Sequence, residues 1–425
     1  MKTLTVLCLA AFTLLSLLSC SIHKIRQQSI YLNEAAEIKG KVKVASSSHG
    51  TAIALLFRKE SDNILSLSNQ FTLSGNGEYI FHTPAGEYVV AAFLDSSGDG
   101  EYQEGEHATY QGIENGEPLF IKVGEKSSIT VKTLAIEKAI ANKGKYTITL
   151  NPSKRNQNIG QLASLENQIF SDKFASMGLW RPIDFITQVG GGLYLLDHYD
   201  AKKTPILFVH GMNGSARNWS YIIQELDTKR FQPFVLYYPS GVRLDMVSDY
   251  IVKAINTLYA KYRFEKFYIV AHSMGGLVSR SFIMKHYQSK HPAKIKLFVT
   301  INSPMLGMSS ANMGVLFSPI VVPSWRDIAS QSKFIKRIHE WQWPKEIPYH
   351  LIFSYRSGKG DDGVVPLESQ IPIKLQLEAT RIYGFNASHT KLLHEKRLMS
   401  QIEKILNDTR SKDDLAVSEP RSILD

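Results

Sequence analysis

The chain has 425 residues, of which 44% are hydrophobic and 21% are charged, so its composition is that of an ordinary globular protein. At roughly 150 residues per domain, this length corresponds to two or three domains. The formal net charge is +10, but the basic residues are spread along the chain and no nucleic-acid motif accompanies them. This distribution argues against nucleic-acid binding. The charge favours simple solubility at a charged surface, and attraction to anionic lipid head groups is the alternative.

The first twenty residues, MKTLTVLCLAAFTLLSLLSC, have one early charge, an apolar run and then small residues, which is the layout of a secretory signal. The ending LLSC resembles the lipobox of bacterial lipoproteins. This resemblance implies a signal peptide over residues 1–19, lipidation of Cys20 and an anchor linker over residues 20–37. Because Ser21 and no aspartate follows the cysteine, it also implies a protein anchored to the outer membrane of the cell envelope. An ordinary signal peptide or an uncleaved anchor is the alternative.

Residues 38–137 consist of short alternating runs such as KGKVKVA, GTAIALLFR and GEYIFHT, separated by Gly, Asn and Ser. Turn signals at intervals of about 8–12 residues predict a small antiparallel β-sandwich of roughly seven strands. The pattern resembles Ig-like or carboxypeptidase-regulatory-like modules of secreted bacterial proteins.

The loop DSSGDGEYQEGE lies inside this predicted sandwich and has the oxygen and glycine spacing of an EF-hand calcium loop. Its flanks predict strands and not helices, so an EF-hand itself is not expected. Two interpretations stay open: a structural calcium site in a hairpin loop, or an acidic glycine-rich turn without metal. The calcium ligands would be the side chains of Asp95, Ser97, Asp99 and Glu106 and the carbonyl of Glu101.

The pattern changes after the predicted sandwich. Residues 138–203 form a predicted connector, and from Pro205 onward buried apolar runs alternate with amphipathic helices. This alternation predicts an α/β domain over residues 204–407, with a mainly parallel sheet covered by helices on both faces. Residues 408–425 are polar and charged and are predicted to form a tail.

A serine marks the chemistry of the α/β domain. In KFYIVAHSMGGLVSR, a buried strand runs into Ser273 and a helix follows at once, which is the pattern of a nucleophile elbow. Such a serine has a strained backbone and needs small neighbours. Gly275 meets this need on one side, and Ala271 replaces the usual glycine on the other. On these residues, positions 204–400 resemble an α/β-hydrolase of the lipase and esterase type.

This resemblance implies an oxyanion hole made of two backbone N–H groups. In FVHGMNG, which ends the strand before the first helix, the N–H of Met212 would be one donor. The N–H of Met274, directly after the serine, would be the other, and such donors stabilise the developing oxyanion. By the same resemblance, His210 and His272 shape the backbone and are not the catalytic base.

The acid of the triad should follow the serine in the chain. Asp362 in GKGDDGVVP aligns with the family pattern Asp-x-Val-Val-Pro, whereas Asp361 lies one residue out of register. Asp327 falls in a predicted helix and is interpreted as a capping or surface residue. The resemblance therefore implies that Asp362 orients the catalytic histidine.

The histidine should follow the final strand. His389 begins HTKLL, which fits the family pattern His-x-x-Leu-Leu, whereas His394 lies within the next helix. The implied triad is therefore Ser273 as nucleophile, His389 as general acid and base, and Asp362 as its partner.

A cap insertion is expected at about residues 304–347, and it is rich in apolar side chains such as Leu316, Phe317 and Trp325. These suit an acyl-chain site, or they simply pack the cap onto the sheet. Together with the lipid anchor, the cap favours a hydrolase that cleaves lipid or acyl esters and requires no cofactor for catalysis. A thioesterase or amidase acting on envelope molecules, and a non-catalytic envelope-binding protein, stay open as alternatives.

Overall fold

The structure is a computed structural model. It describes residues 22–45, 49–62, 64–114, 117–139, 147–149 and 158–418. The predicted signal peptide and Cys20 lie outside these ranges. Within them, no helix is both long enough and apolar enough to cross a membrane.

The N-terminal part contains helix α1 (residues 22–33) and thirteen short or medium strands. The strands are β1 (Ala36–Val44), β2 (Thr51–Ser61), β3 (Ile64–Thr72), β4 (Gly77–Thr83), β5 (Gly86–Asp95), β6 (His107–Tyr110), β7 (Ile113–Glu114), β8 (Glu117–Pro118), β9 (Ile121–Val123), β10 (Ser128–Thr130), β11 (Leu134–Ile136), β12 (Lys138–Ala139) and β13 (Thr147–Thr149).

All of these strands except β7 and β8, which pair with each other, form the predicted sandwich of two sheets. One sheet has the order β10-β1-β11 with β4 on the other edge of β1, and the second has the order β12-β6-β5-β2-β3-β13 with β9 beside β5. Alternate residues of both sheets, such as Ile38, Phe81, Leu56 and Val90, point inward and share one core. The long strand pairs are antiparallel, as predicted. However, β10 and β11 pair with β1 in parallel, because the chain returns to this sheet after a crossover.

The second part contains eight strands and the remaining helices. The strands are β14 (Ile159–Leu162), β15 (Gly192–Leu195), β16 (Thr204–Val209), β17 (Phe231–Tyr237), β18 (Lys266–His272), β19 (Lys294–Ile301), β20 (Tyr349–Tyr355) and β21 (Arg381–Asn386). The α-helices are α2 (Asp172–Trp180), α3 (Pro182–Gln188), α4 (Ser220–Gln224), α5 (Leu244–Tyr262), α6 (Met274–Gln288), α7 (Ser309–Phe317), α8 (Pro323–Ile328), α9 (Lys333–Glu340), α10 (Leu367–Gln370), α11 (Ile373–Glu378) and α12 (Lys396–Ser418). Short 3-10 helices span Gln168–Phe170, Ala216–Trp219 and Lys391–His394.

The eight strands form one sheet in the order β14-β15-β17-β16-β18-β19-β20-β21. Strands β14 and β15 are parallel to each other and run opposite to the other six strands. The central strands β16, β17 and β18 are buried on both faces, which explains their continuous apolar sequences. Helices α5 and α6 pack on one face, and α12 packs on the other. The predicted α/β architecture is therefore present.

Two segments differ from the predicted boundaries. Residues 159–195, predicted as part of the connector, supply β14, β15 and two helices of the α/β domain. Helix α12 continues to Ser418, into the predicted polar tail.

The connections of the sheet create a switch point. From β16 the chain moves to β17 on one side, and then to β18 on the other side of β16. The carboxyl ends of β16 and β18 therefore lie next to each other, with Val209 paired to Ala271. Crevices at such switch points are the usual ligand sites of open α/β sheets.

Candidate active site

Ser273 lies between β18 and α6 in a strained turn. Its φ of 54° and ψ of −130° are values that residues other than glycine rarely adopt, and such backbone strain costs about 1–3 kcal/mol. The turn is fixed by a hydrogen bond of 2.8 Å from the Ser273 N–H to the carbonyl of Ile301. The serine is half-buried at the carboxyl edge of the sheet.

The need for small residues beside the serine arises from the start of α6. A Cβ on Gly275 would overlap the carbonyl oxygen of Val209 and lie 2.6 Å from that of His210. Helix α6 can therefore pack against the end of β16 only if this position is glycine. Ala271, on the strand side, is fully buried.

The loop after β16 brings backbone against the nucleophile. A Cβ on Gly211 would lie 2.8 Å from Cβ of Ser273, so glycine permits this close approach. The turn is held by hydrogen bonds from the N–H of Gly214 to the carbonyl of Gly211 (3.2 Å) and from the N–H of Asn213 to Oγ of Ser240 (2.9 Å). Met212 is thus carried on a braced turn beside Ser273.

The second predicted oxyanion donor is Met274, the first residue of α6. The N–H groups in the first turn of a helix have no acceptor within the helix, and they carry the positive end of its dipole. Such a group suits stabilisation of an anion beside the preceding serine.

His210 is fully buried, and its ring stacks on that of Tyr238 with 4.2 Å between centroids. The Tyr238 hydroxyl donates to the His210 carbonyl (2.8 Å). Burial lowers the pKa of His210 to about 4, so the ring is neutral near pH 7. These contacts brace the backbone that leads into Gly211, and the structural role of His210 stays a prediction.

Asp362 and His389 form a buried pair. Oδ2 of Asp362 lies 2.7 Å from Nδ1 of His389. Its other oxygen, Oδ1, accepts hydrogen bonds from the N–H groups of Val364 (2.9 Å) and Val365 (2.7 Å). The turn that follows the aspartate therefore holds the carboxylate and aims its free oxygen at the histidine.

The backbone of His389 is also fixed. Its N–H donates to the carbonyl of Asp362 (2.9 Å), and its carbonyl accepts from Nδ2 of Asn302 (2.9 Å) and Nε2 of His272 (3.2 Å). Burial, with His389 adding to the effect, lowers the pKa of His272 to about 3, so this ring stays neutral. The ring centroids of His272 and His389 are 4.7 Å apart. Since His272 precedes the nucleophile, these contacts bring His389 to the same end of β18.

Sequence reasoning missed Asn302. This residue is fully buried, and it directly follows β19, the strand next to that of Ser273. A polar residue at the carboxyl end of an adjacent parallel strand is the signal that would have pointed to it.

The other candidates lie apart from the Asp362–His389 pair. Asp361 is 40% exposed and forms a surface ion pair with Arg356. Asp327 is buried, pairs with Arg243 and accepts from the N–H of Leu244, so it caps α5. His394 is exposed at the end of a 3-10 helix.

The acidic loop Asp95–Glu106 is organised by its own hydrogen bonds. Asp95 accepts from the N–H groups of Gly98 (2.7 Å) and Gly100 (2.9 Å), and Glu106 accepts from those of Ser96 (2.8 Å) and Gln103 (3.0 Å). The remaining predicted ligands lie in the same loop: the hydroxyl of Ser97 donates to Asp95, and the carboxylate of Asp99 accepts from the N–H of Glu101. Within the described ranges, no three His, Cys, Asp or Glu side chains are arranged to hold a metal ion. The carboxylates thus accept hydrogen bonds from loop N–H groups, an arrangement that favours the metal-free turn over the calcium site.

The segment between β19 and β20 contains α7, α8 and α9. Helix α7 is predominantly apolar and buries none of its residues: Met313 is 57% exposed, Leu316 71% and Phe317 72%. Trp325, by contrast, packs against Trp180 with 5.8 Å between ring centroids. The predicted cap therefore combines side chains that pack and a helix that presents apolar groups to solvent.

A match to a known sequence family supports the fold. Residues 242–409 match a family described as alpha/beta hydrolase of unknown function (DUF915), while no curated protein matches the chain. Similar solved structures include the product of gene lin2722 from Listeria innocua (17% identity, TM-score 0.39, 48% of this chain and 94% of that one). Another is the mature lipase BlEst2 of Bacillus licheniformis, with 17% identity and a TM-score of 0.39 over 49% of this chain and 94% of that one. A third is phospholipase PlaB of Legionella pneumophila, with 16% identity and a TM-score of 0.34 over 40% of this chain and 45% of that one. The family match and the sheet topology together identify an α/β-hydrolase fold.

Proposed function

We propose that this α/β-hydrolase is a membrane-anchored serine hydrolase that cleaves carboxylic esters, with lipid or acyl esters as substrates. The observation that carries the proposal is the buried hydrogen-bonded pair of Asp362 and His389 at the sheet edge where the strained turn holds Ser273. A strained nucleophile, a base and a group that orients the base are the three parts that acyl transfer to serine requires.

The direction of proton transfer follows from the way His389 is held. The carboxylate of Asp362 accepts a hydrogen bond from Nδ1–H, and this tautomer leaves Nε2 unprotonated and free to act as a base. In the proposed first step, Nε2 takes the proton of Ser273 while Oγ attacks the ester carbonyl carbon. The imidazolium then gives this proton to the leaving oxygen, the C–O bond breaks, and an alcohol departs from an acyl-enzyme. Water repeats the sequence, so that the carboxylic acid leaves and Ser273 is regenerated.

Negative charge develops on the carbonyl oxygen during both attacks. The backbone N–H groups of Met212 and Met274 are the proposed donors to this oxygen. The close approach of Gly211 to Ser273 and the helix terminus at Met274 support this assignment. A preorganised donor of this kind contributes about 3–4 kcal/mol to transition-state stabilisation.

The proposed preference for acyl chains rests on α7. This helix follows β19, the neighbour of the serine strand, and its exposed Met313, Leu316 and Phe317 form an apolar surface. Contiguous apolar side chains that a protein leaves in solvent commonly mark a site for an apolar partner. We assign this surface to the acyl chains of the substrate.

Membrane attachment is proposed through a lipid on Cys20, with the outer membrane as its location. The net positive charge would favour an anionic lipid surface. In a bacterial host, Cys20→Ser should release the protein from the membrane fraction, and metabolic labelling with an alkyne fatty acid should mark only the parent protein. A Cys20→Ser protein that stays in the membrane fraction would contradict the lipid anchor.

Substrate class is tested by hydrolysis of p-nitrophenyl esters from acetate to palmitate, with matched thioesters and anilides. We expect esters to be cleaved fastest and the rate to favour longer chains. In the double variant Leu316→Ser/Phe317→Ser, the long-chain rate should fall and the acetate rate should stay. A preference for thioesters or anilides would replace the ester proposal, and a variant with unchanged chain-length preference would refute the role of α7.

A further inference from the structure

The carbonyl oxygen of His389 accepts hydrogen bonds from two side chains that come from neighbouring strand ends. The donors are Nδ2 of Asn302 (2.9 Å) and Nε2 of His272 (3.2 Å). His272 is the last residue of β18, directly before Ser273, and it pairs in the sheet with Ile301, the last residue of β19. Asn302 follows Ile301 in the chain. Both donors are therefore fixed to the sheet edge that carries the proposed nucleophile.

His389 itself lies in a loop. It falls between the end of β21 at Asn386 and the 3-10 helix that begins at Lys391. Its backbone position is therefore not set by a strand or a helix, and loops are more mobile than the elements that they connect. The N–H of His389 donates to the carbonyl of Asp362 (2.9 Å), which lies in another loop. The two side-chain donors are thus what joins the backbone of His389 to the sheet.

The chemistry of Asn302 is not explained by its turn alone. Its φ is 52°, in the left-handed region that asparagine tolerates and glycine adopts freely. The residue is fully buried, and within the described part of the chain its Oδ1 accepts no hydrogen bond from the protein. A buried polar atom without a partner destabilises a fold. Glycine would fit the same turn without this cost, so the buried amide points to the bond that it donates to His389.

We propose that Asn302 and His272 are positioning residues, which together hold the loop of His389 so that its imidazole stays within reach of Ser273. The inference rests on the proposed function, because it concerns the same triad. Neither side chain exchanges a proton in the reaction; both act through His389. Such positioning matters for rate, because a displacement of about 1 Å at a reacting group can cost about 10²-fold.

The first test compares Asn302→Gly with wild type in the hydrolysis of p-nitrophenyl butyrate. Glycine keeps the left-handed backbone and removes the donor. We expect kcat to fall by about 10²-fold and KM to stay unchanged, because the buried amide does not contact the substrate. Asn256→Ala is the matched control, since the buried Asn256 also donates from Nδ2 to a carbonyl, that of Thr72 in the sandwich (2.9 Å). This control should keep the wild-type kcat.

A second comparison separates the positioning of His389 from a general loss of structure. In a His389→Ala background, Asn302→Gly should not lower the residual activity further, because the side chain that Asn302 positions is gone. His272→Gln keeps an N–H donor and should retain kcat, whereas His272→Leu should lose about 10²-fold. His286→Leu is the control for this change. It removes a buried donor to the carbonyl of Ala293 (2.8 Å) at the far end of α6, and it should retain kcat.

Nuclear magnetic resonance gives a readout that does not depend on turnover. In protein with isotope-labelled histidine, the Nδ1–H of His389, which donates to Asp362 (2.7 Å), should give a downfield proton signal that is absent from His389→Ala. This signal should shift in Asn302→Gly and stay in place in Asn256→Ala. If Asn302→Gly does not fold, His272→Leu and His272→Gln take its place in the same measurement.

The inference is overturned if a folded Asn302→Gly protein keeps the wild-type kcat, or if this change costs as much activity without His389 as with it. It is also overturned if the His389 signal is the same in wild type and in Asn302→Gly. A wild type that cleaves no ester would refute the proposed function, and the signal of His389 would then still decide whether Asn302 positions this loop.

Discussion

Asparagine in place of Asp362 keeps the shape of the side chain but changes the atom that this side chain presents to His389. The carbonyl oxygen of asparagine can still accept from Val364 and Val365, so the turn should be preserved. The amide nitrogen, however, replaces the oxygen that lies 2.7 Å from Nδ1 of His389. An N–H donor at this place favours the tautomer with the proton on Nε2, and this tautomer cannot take the proton of Ser273.

The expected loss in kcat for Asp362→Asn is about 10³–10⁴-fold, which corresponds to about 4–5.5 kcal/mol in the activation barrier. The KM should change little, because the substrate does not contact the carboxylate. Asp361→Asn is the matched control one residue away. It loses only an exposed ion pair with Arg356, and such pairs contribute about 0–1 kcal/mol to stability.

The assay is the hydrolysis of p-nitrophenyl butyrate by both variants, with circular dichroism and melting curves as checks of folding. The expected order of kcat is wild type equal to Asp361→Asn and far above Asp362→Asn. If Asp362→Asn stays within a few-fold of wild type, or if Asp361→Asn shows the large loss, the assignment of the acid is wrong.

Three further predictions concern stability. Ordinary overpacking lowers the free energy of unfolding by about 1–3 kcal/mol. Gly275→Ala should lower it by more, because the new Cβ meets backbone oxygens. Gly360→Ala, which has open space around it, should melt like wild type. Burial lowers the pKa of His210 to about 4 and those of His272 and His286 to about 3, below the ordinary value of about 6.5. These histidines therefore stabilise the fold fully above a pH of about 6.5, and this contribution is lost as the pH falls. At about pH 5.5 the loss is about 1.4 kcal/mol per histidine. Urea unfolding that shows equal or greater stability at about pH 5.5 than at neutral pH would contradict this. Because loop N–H groups already satisfy the carboxylates of Asp95 and Glu106, the melting temperature should be the same in calcium and in chelator, and a rise with calcium would favour the metal site instead.

Much of the fold could be predicted because its signals are local. The continuous apolar strands β16, β17 and β18 lie in the middle of the sheet, and burial on both faces requires such sequences. The turn at Ser273 joins a strand directly to a helix, so its geometry depends on residues that are adjacent in the sequence. The same holds for Asp362, whose carboxylate is held by residues only two and three positions later.

Other features depend on contacts between distant parts of the chain. Strands β14 and β15 are only four residues each, and their place at the sheet edge is decided by pairing with β17. Asn302 donates to His389, which lies 87 positions later in the sequence, and no local sequence pattern predicts this contact. A cavity of about 240 Å³ likewise exists only where α1, β3 and β4, α3, the carboxyl end of β17 and α5 meet. The cap shows the same limit, since the sequence could not separate the packed Trp325 from the exposed Phe317.

The most direct test of the proposed chemistry is covalent labelling of the full chain with a fluorophosphonate probe, followed by intact-mass and peptide mass spectrometry. A serine activated as proposed should gain one phosphonyl group per chain, located on Ser273, and the loss of p-nitrophenyl ester hydrolysis should follow the extent of labelling. Ser273→Ala should take up no label and show no hydrolysis. A folded wild-type protein that neither reacts with the probe nor cleaves any ester, or one whose label and activity persist in Ser273→Ala, would contradict the account.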